Sequence, residues 1–120
     1  MVSKNPKIEL CDINGIEYLR FTFREKFLKD HAKNATQEWK EIFDSTYGEK
    51  VPVIWDCIDM TGYEHKARVL WQKEIQKLKK QIDCVWLITD SKLIKAGAKT
   101  MSLFTSFKIN VIESENQINI

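Results

Sequence analysis

The stretch VPVIWDCIDMTGYEHKARVL, residues Val51–Leu70, decides the fold. Its first part, Val51–Cys57, is apolar on both faces, which predicts an inner strand that is covered on each side. Pro52 has no amide hydrogen and therefore fits only near the beginning of that strand. The next part, Ile58–Tyr63, contains aspartate, threonine and glycine, which favour a turn.

An amphipathic helix is predicted after this turn. Its apolar residues recur at helical spacing and form one stripe: Ala67, Leu70, Trp71, Ile75, Leu78 and Ile82. A strand that leads through a polar turn into a helix is half of a βαβ unit. In open α/β sheets, ligands and partners bind beyond the carboxyl ends of the strands. We therefore expect the functional residues at Asp56–His65.

The composition is that of an ordinary globular domain. The chain has 120 residues, of which 43% are hydrophobic and 30% are charged, and its formal net charge is +2. These values predict a single domain over residues 1–120, and so small a charge argues against nucleic acid as a partner. Without an apolar signal region or a membrane-length apolar run, we expect a cytoplasmic protein that does not insert into membranes. The three cysteines form no CxxC pair, which predicts reduced, mostly buried thiols: Cys11, Cys57 and Cys84.

The amino-terminal part predicts a β-hairpin. Asn14-Gly15 is a strong signal for a two-residue turn, and it lies between the predicted strands Lys7–Asp12 and Glu17–Phe23. Arg24–Lys29 has no pattern that decides its conformation. A helix is then predicted from an N-cap at Asp30 to about residue 47, where a glycine ends it.

The remaining chain predicts a second inner strand, Asp83–Thr89, parallel to the first. Ser91 caps a third helix, whose predicted buried side comprises Leu93, Ile94, Gly97, Ala98, Met101, Phe104 and Phe107. Lys108–Ile112 is a last strand, and residues 113–120 form a polar tail without an assigned structure. The element order is β-β-α-β-α-β-α-β, which predicts an α/β fold with a mixed sheet and an antiparallel hairpin at its amino-terminal end.

This element order resembles the STAS fold of anti-sigma factor antagonists, transporter-associated domains and a looser antagonist-like branch. The local match is Val53-Ile54-Trp55-Asp56, an apolar strand that ends in an acidic residue, followed by Asp59, Gly62 and Tyr63, which look like the D-x-x-G-aromatic turn of the looser branch. The resemblance implies a non-catalytic regulatory module without a cofactor. Its partner would be a regulatory protein of the anti-sigma or kinase type.

In the resembling family, the turn and the helix after it form the partner surface. Carried over to this chain, the surface comprises Asp59, Thr61, Gly62, Tyr63, His65, Lys66, Val69 and Lys73. A stripe of lysines beside the apolar stripe, with Val69 among them, agrees with a partner helix or an acidic surface there, although such a stripe is more often a solvated face. Homodimerisation through a sheet edge is an open alternative.

The phosphorylation switch of the family is changed here. The family has serine after aspartate at the start of this helix, whereas this chain has Tyr63-Glu64-His65-Lys66. Thr61 is the one serine or threonine hydroxyl in the predicted turn. Its phosphorylation would add about −1.5 to −2 charges and repel an acidic partner. The alternative is that Thr61 only stabilises the turn.

Three carboxylates, of Asp56, Asp59 and Asp90, are expected near the carboxyl ends of adjacent strands. They suggest a small-molecule or lipid pocket near Asp56, Thr61 and Asp90 as the second hypothesis, and Mg²⁺ binding or acid–base catalysis as the weakest one. Bonding to local backbone amides is the simpler account. The two histidines lie on separate elements, so we expect no zinc site. Four tryptophans at predicted inward positions fit core packing better than a pocket, and a lipid or other apolar ligand between the helices and the sheet is an open alternative.

Overall fold

A computed structural model describes residues 5–46 and 50–118, with the backbone alone for 43–46. The strands are β1 (Lys7–Ile13), β2 (Ile16–Phe27), β3 (Val51–Tyr63), β4 (Ile82–Ile88) and β5 (Ile109–Ile112). The helices are α1 (Lys29–Thr46), α2 (His65–Lys77) and α3 (Lys92–Ser102), and Lys79–Gln81 and Glu115–Gln117 form short 3₁₀ turns. The predicted element order and α/β class are confirmed.

The amino-terminal hairpin forms where the sequence predicts it. Asn14 and Gly15 both have positive φ, 53° and 84°, as a type I′ turn requires. The carboxylate of Asp12 accepts a hydrogen bond from the Gly15 amide at 2.9 Å, and Ile13 pairs with Ile16 across the turn. The turn thereby fixes the antiparallel register of β1 and β2.

The five strands lie in the order β1-β2-β3-β4-β5, and β2 to β5 are parallel neighbours. Because each crossover steps in the same direction and is right-handed, all three helices are placed on one face of the sheet. The prediction that the inner strand Val51–Cys57 is covered on each side is confirmed, because Val53, Ile54 and Trp55 are all buried, but the helices cover one face and the carboxyl-terminal segment contributes to the other. Only the helix-covered face carries a thick core.

This core is rich in aromatic residues. Trp71 of α2 lies at its centre, with ring centroids between 5.6 and 5.8 Å from those of Phe21, Phe23, Phe27, Trp39 and Trp55. Three of the four tryptophans are buried there, as predicted, whereas the half-buried Trp86 of β4 packs on the opposite face.

The opposite face is covered in part by the carboxyl-terminal segment. Tyr18, Ile54, Ile88 and Ile118 form a small buried cluster there. Ser114 and Gln117 make a reciprocal capping box around the last 3₁₀ turn, and this orders part of the predicted tail. The segment brings Ile118 onto the sheet in the place that a helix would occupy in a three-layer fold.

Several predicted bounds need correction. The unassigned segment Arg24–Lys29 continues β2 to Phe27, and α1 begins at Lys29 instead of after an N-cap at Asp30. The predicted helix end at Tyr47 and Gly48 lies outside the described residues. The helix predicted to reach Ile82 ends at Lys77, because the chain turns there to begin β4.

The predicted buried side of the third helix is confirmed for Ile94, Gly97, Ala98 and Met101 and wrong at two positions, while Phe107 is buried as predicted but lies beyond the end of α3. Leu93 lies in the exposed first turn, and Phe104 lies beyond the last residue of α3, where the helical period no longer applies. Of the three free cysteines, Cys57 is buried and the other two are half-buried. Within the described ranges, no helix has the length and hydropathy to cross a bilayer.

Candidate functional site

The predicted turn after the central strand is itself strand. β3 continues through Tyr63, and its second half pairs with β2, so that Asp59 lies opposite Arg24 and Tyr63 opposite Phe27. Pairing of β3 with β4 ends earlier, at Asp56 opposite Ile88. The prediction of a turn at Ile58–Tyr63 is therefore wrong. The end of β3 and the end of β2 form a two-stranded extension beyond the rest of the sheet.

Two irregularities in pairing accommodate the turn-like residues of this extension. The register shifts between Thr22 and Arg24, and again between Glu25 and Lys26, because β3 has an extra residue at each place. Glu25 takes a φ of 52° on the partner strand. Such bulges bend a strand and change the direction of its side chains, and they are frequent next to functional sites.

Hydrogen bonds fasten this extension to the starts of α1 and α2. The Glu64 amide donates to the Phe27 carbonyl at 2.9 Å, which continues the β2–β3 pairing to the first turn of α2. The Glu64 carboxylate in turn accepts a hydrogen bond from the Lys29 amide, at the start of α1, at 2.8 Å. The extension is thus held at the start of α2 by a backbone–backbone hydrogen bond and at the start of α1 by the Glu64 side chain.

The structure places the predicted partner residues on one continuous segment, which we call the β3–α2 surface. Its exposed members are Asp59, Thr61, His65, Lys66, Val69 and Lys73, while Gly62 and Tyr63 are half-buried. Lys66, Val69 and Lys73 follow each other at intervals of three and four residues and therefore share one face of α2. The side chain of Val69 is 42% exposed.

Two apolar residues that sequence reasoning did not assign to this surface add to it. Ile58 is 44% exposed on β3, and Leu93 is 55% exposed in the first turn of α3. A Cβ atom on Gly62 would lie 4.0 Å from Cδ2 of Leu93, so Leu93 adjoins the end of β3. The only signal in the sequence was the position of Leu93 two residues after the N-cap Ser91.

Tyr63 joins the end of β3 to α3. A Cβ atom added to Gly97 would lie 2.5 Å from the Tyr63 hydroxyl oxygen, so the ring rests directly on the glycine. Any larger residue at position 97 would push the ring aside. Gly97 is therefore required for close packing of the β3 extension on α3.

Asp56 does not face the helices. Its carboxylate forms an ion pair with Arg20 at 2.6 Å on the opposite face of the sheet, and Arg20 also contacts Glu115 of the carboxyl-terminal segment. Burial acts to lower the pKa of the Arg20 guanidinium, but hydrogen bonds and charges from Glu115 and Asp56 outweigh it and raise the pKa above its usual value. Asp56 thus has a structural partner.

Asp59 and Asp90 are exposed, and Thr61 lies on the β3 extension. Within residues 5–46 and 50–118, no three carboxylate, histidine or cysteine side chains come together as metal ligands. The predicted pocket near Asp56, Thr61 and Asp90 stays a prediction.

A cavity of about 50 Å³ lies on the helix-covered face, between the sheet and helices α2 and α3, and it opens to solvent. Its lining presents apolar atoms and includes Met60 and Tyr63 of β3, Trp71 of α2 and Gly97 and Ala98 of α3, with Arg68 also in the wall. The buried Cys57 lines it too, and burial raises the pKa of this thiol, so the neutral thiol persists at neutral pH.

Sequence reasoning left an apolar ligand between the helices and the sheet as an alternative, but it did not identify the lining residues, because each of them fits the pattern of an ordinary core. Ala98, a small residue among larger ones on the buried side of α3, was the available signal, since the Tyr63 ring fills the space beside Gly97.

The fold is shared with a protein of known structure. No protein-family model and no curated protein matches this sequence. A solved structure with a TM-score of 0.77 is that of an uncharacterised protein from the DUF3478 family with a SpoIIAA-like fold, from Shewanella loihica PV-4. The match covers 97% of this chain and 94% of that chain at 17% sequence identity. The SpoIIAA-like fold is the fold of the anti-sigma antagonists, so the predicted STAS-like fold is confirmed.

Proposed function

We propose that this protein is a non-catalytic regulatory module of the cytoplasm that binds a partner protein through the β3–α2 surface. The observation that carries the proposal is the arrangement of this surface: exposed polar residues on a bulged strand extension, with exposed Val69 on the next helix and Leu93 beside Gly62. Apolar side chains among polar ones are typical of an interaction site.

The strand residues and the helix residues of this surface would recognise different groups of a partner. Asp59 and Thr61 offer acceptors and a hydroxyl on the strand, whereas Lys66 and Lys73 flank Val69 on the helix. Because charges across an interface mainly set specificity and association rate, the lysines would steer an acidic partner and Val69 would supply the buried contact. Such a partner is a regulatory protein of the anti-sigma or kinase type.

The test is Val69→Asp, with Val111→Asp as the matched control. Val111 is also an exposed valine, at 39%, but it lies on β5 at the far edge of the sheet. Val69→Asp should remove a stoichiometric partner in a pull-down from source lysate, or weaken its affinity at least about tenfold, as loss of a contact near the centre of an interface does. Equal binding by both variants, with unchanged thermal unfolding, would contradict the proposal.

Thr61 is the point at which phosphorylation would act. Its hydroxyl lies on the exposed part of β3, two residues from Asp59, so a phosphate would put a second negative group on the same strand. Thr61→Glu should weaken binding of an acidic partner, and the uncharged Thr61→Gln should not. Equal effects of the two variants would assign Thr61 to packing of the strand instead.

A second candidate function rests on the cavity. Its apolar lining and its opening to solvent fit a small apolar group. Arg68 contributes apolar atoms to the wall, and its guanidinium donates to Oε1 of Gln72 at 3.2 Å, so we expect an uncharged occupant. This hypothesis keeps the small-molecule or lipid class predicted from the sequence but moves it to the other face of the sheet from Asp56.

Ala98→Leu distinguishes the two functions because Ala98 is buried and lines the cavity, away from exposed Val69. In NMR titrations, hexanol should bind the wild type more tightly than hexanoate does, because the apolar lining offers a carboxylate no partner, and Ala98→Leu should abolish binding of both. Val69→Asp should leave hexanol binding intact. If neither probe binds the wild type, the cavity is a packing defect.

A further inference from the structure

The largest exposed apolar side chains lie at the opposite end of the molecule from the β3–α2 surface. Leu103 is 78% exposed and Phe104 is 59% exposed, and they are consecutive residues just past the end of α3. Their amides donate to the carbonyls of Thr100 and Met101 at 3.2 and 2.9 Å, so the backbone that displays them is held by the helix end. This apolar pair is thus fixed in place and turned to solvent.

The loop that carries this pair is also tied to α2. The Ser106 amide donates to Oε1 of Gln76 at 3.2 Å, and Nε2 of Gln76 lies 3.4 Å from the Ser106 hydroxyl. Farther along, Phe107 is buried, and the Lys108 carbonyl accepts from the Val85 amide at 2.9 Å. The ends of α2 and α3 therefore lie side by side and present one surface.

That surface is basic. Residues 77–83 and 99–108 contain five lysines and one carboxylate. Glu74, which comes before the first of these segments, is already paired with Lys40 and Lys77. Lys99 lies one helical turn before Leu103, and Lys108 follows the loop, so the apolar pair has lysines on both sides along the chain. The lysines of the two segments are Lys77, Lys79, Lys80, Lys99 and Lys108.

We infer that this end of the molecule docks on the surface of an anionic lipid bilayer, with Leu103 and Phe104 entering the headgroup region and the lysines facing lipid phosphates and carboxylates. An exposed aliphatic–aromatic pair next to a basic cluster is the chemistry of peripheral membrane association, which combines apolar burial with attraction to anionic lipid. The association involves side chains alone and crosses no bilayer.

Two features favour a bilayer over a protein partner. Leu103 and Phe104 protrude from a loop instead of lining a groove, and apolar side chains that protrude are suited to a soft, deformable surface. The lysines are spread over the ends of two helices, which suits a diffuse layer of negative charge.

The experiment is vesicle flotation with purified protein. Vesicles of phosphatidylcholine alone are compared with vesicles that contain three parts in ten phosphatidylserine, at low and at high salt. Protein should float with the anionic vesicles at low salt and be released at high salt, because salt screens the lysines. Absence of enrichment on the anionic vesicles would overturn the inference.

The variant L103S/F104S tests the apolar contribution and has L93S as its control. Leu93 is an exposed leucine of the same helix but at its other end. L103S/F104S should lower the partition coefficient at least about tenfold, since two apolar side chains lose their burial in the interface, whereas L93S should leave it unchanged. Equal loss in the two variants would overturn the inference.

The charge variant K99E/K108E has K33E/K92E as a control with the same net charge, since Lys33 and Lys92 are exposed elsewhere. K99E/K108E should reduce anionic-vesicle binding by more than about fivefold per lysine, because each residue loses its attraction and gains repulsion. If both variants lose binding equally, the association is unspecific. A wild-type dimer in sedimentation that L103S/F104S dissolves would assign the patch to a second copy and overturn the inference.

Discussion

On the helix-covered face of the sheet, five aromatic side chains pack around Trp71, whereas on the opposite face an ion-pair network and a few apolar side chains hold the carboxyl-terminal segment. The first face buries large apolar areas, and each such side chain contributes on the order of 2 kcal/mol or more. The second face depends on Arg20 bridging Asp56 and the exposed Glu115, and ion pairs of that kind contribute less.

The difference shows which face of the sheet contributes most of the stability and which segment can open locally. Helices α1 and α2 are fixed by contacts that water cannot replace, because their rings are almost fully buried. The carboxyl-terminal segment is held by groups that water can solvate, apart from Ile118. We therefore expect the segment to open locally at a lower free energy than the helices do.

Trp71→Ala should have the largest effect. Removing the ring leaves a cavity in contact with five aromatic side chains, which costs about 3–5 kcal/mol in free energy of unfolding. Trp86→Ala is the control on the opposite face, where the same residue type is half-buried, and its cost should be about half as large. Urea denaturation measures both. Equal losses would show that the two faces contribute alike.

The sequence predicted correctly those elements that a few neighbouring residues determine. Asn14 and Gly15 determine the hairpin because two consecutive positive φ angles are costly for most other residues. Ser91 determines the start of α3, since its hydroxyl accepts from the Ile94 amide three residues on. The order of strands and helices followed from hydrophobic periodicity alone.

The wrong predictions concern residues whose structure depends on contacts with distant parts of the chain. Whether Asp59–Tyr63 turns or extends is decided by pairing with Arg24–Phe27, more than thirty residues away, and bulges absorb residues that would otherwise favour a turn. Asp56 received its partner from Arg20 on another strand, so its carboxylate could not be assigned from neighbours in the chain. The exposed members of the β3–α2 surface were predictable, but the neighbouring Leu93 and the cavity depend on how α3 packs.

Asp56→Asn tests the face of the sheet that carries the ion-pair network, and its effect on the free energy of unfolding should be intermediate. The side chains of Arg20 and Asp56 are mostly covered, so the change leaves the guanidinium with a weaker acceptor and costs on the order of 2 kcal/mol. Glu115→Gln, at the more exposed end of the network, should cost less than Asp56→Asn.

Thermal unfolding of the single and double variants of Asp56 and Glu115 gives their coupling energy. Coupling of more than a few tenths of a kcal/mol is expected for residues that share one partner. Additive losses would mean that Arg20 does not connect the carboxyl-terminal segment to β3.

Glu74→Gln should have the smallest effect, and only in a defined pH range. Glu74 joins α1 to α2 through Lys40 at 2.9 Å. Its hydrogen bond with Lys40, together with that from Lys77 and both positive charges, outweighs burial and lowers the pKa of the carboxyl group. Because the pKa is lower in the folded protein than in the unfolded chain, the stabilisation is complete above the unfolded value of about 4.3 and is lost as the pH falls through the folded value.

The variant should therefore be less stable than the wild type by up to about 1 kcal/mol at pH 7, and the difference should begin to shrink below about pH 4 and disappear as the pH falls through the lowered pKa of the folded protein. Urea denaturation from pH 3 to pH 7 measures it, with Glu38→Gln on the half-buried side of α1 as a comparison within the same layer. A difference that persists undiminished at pH 3 would show that Glu74 acts through packing of its side chain. In that case burial of side chains would stabilise the helix-covered face without a contribution from this ion pair. The two faces would then differ more clearly, since the opposite face depends on the ion pairs of Arg20.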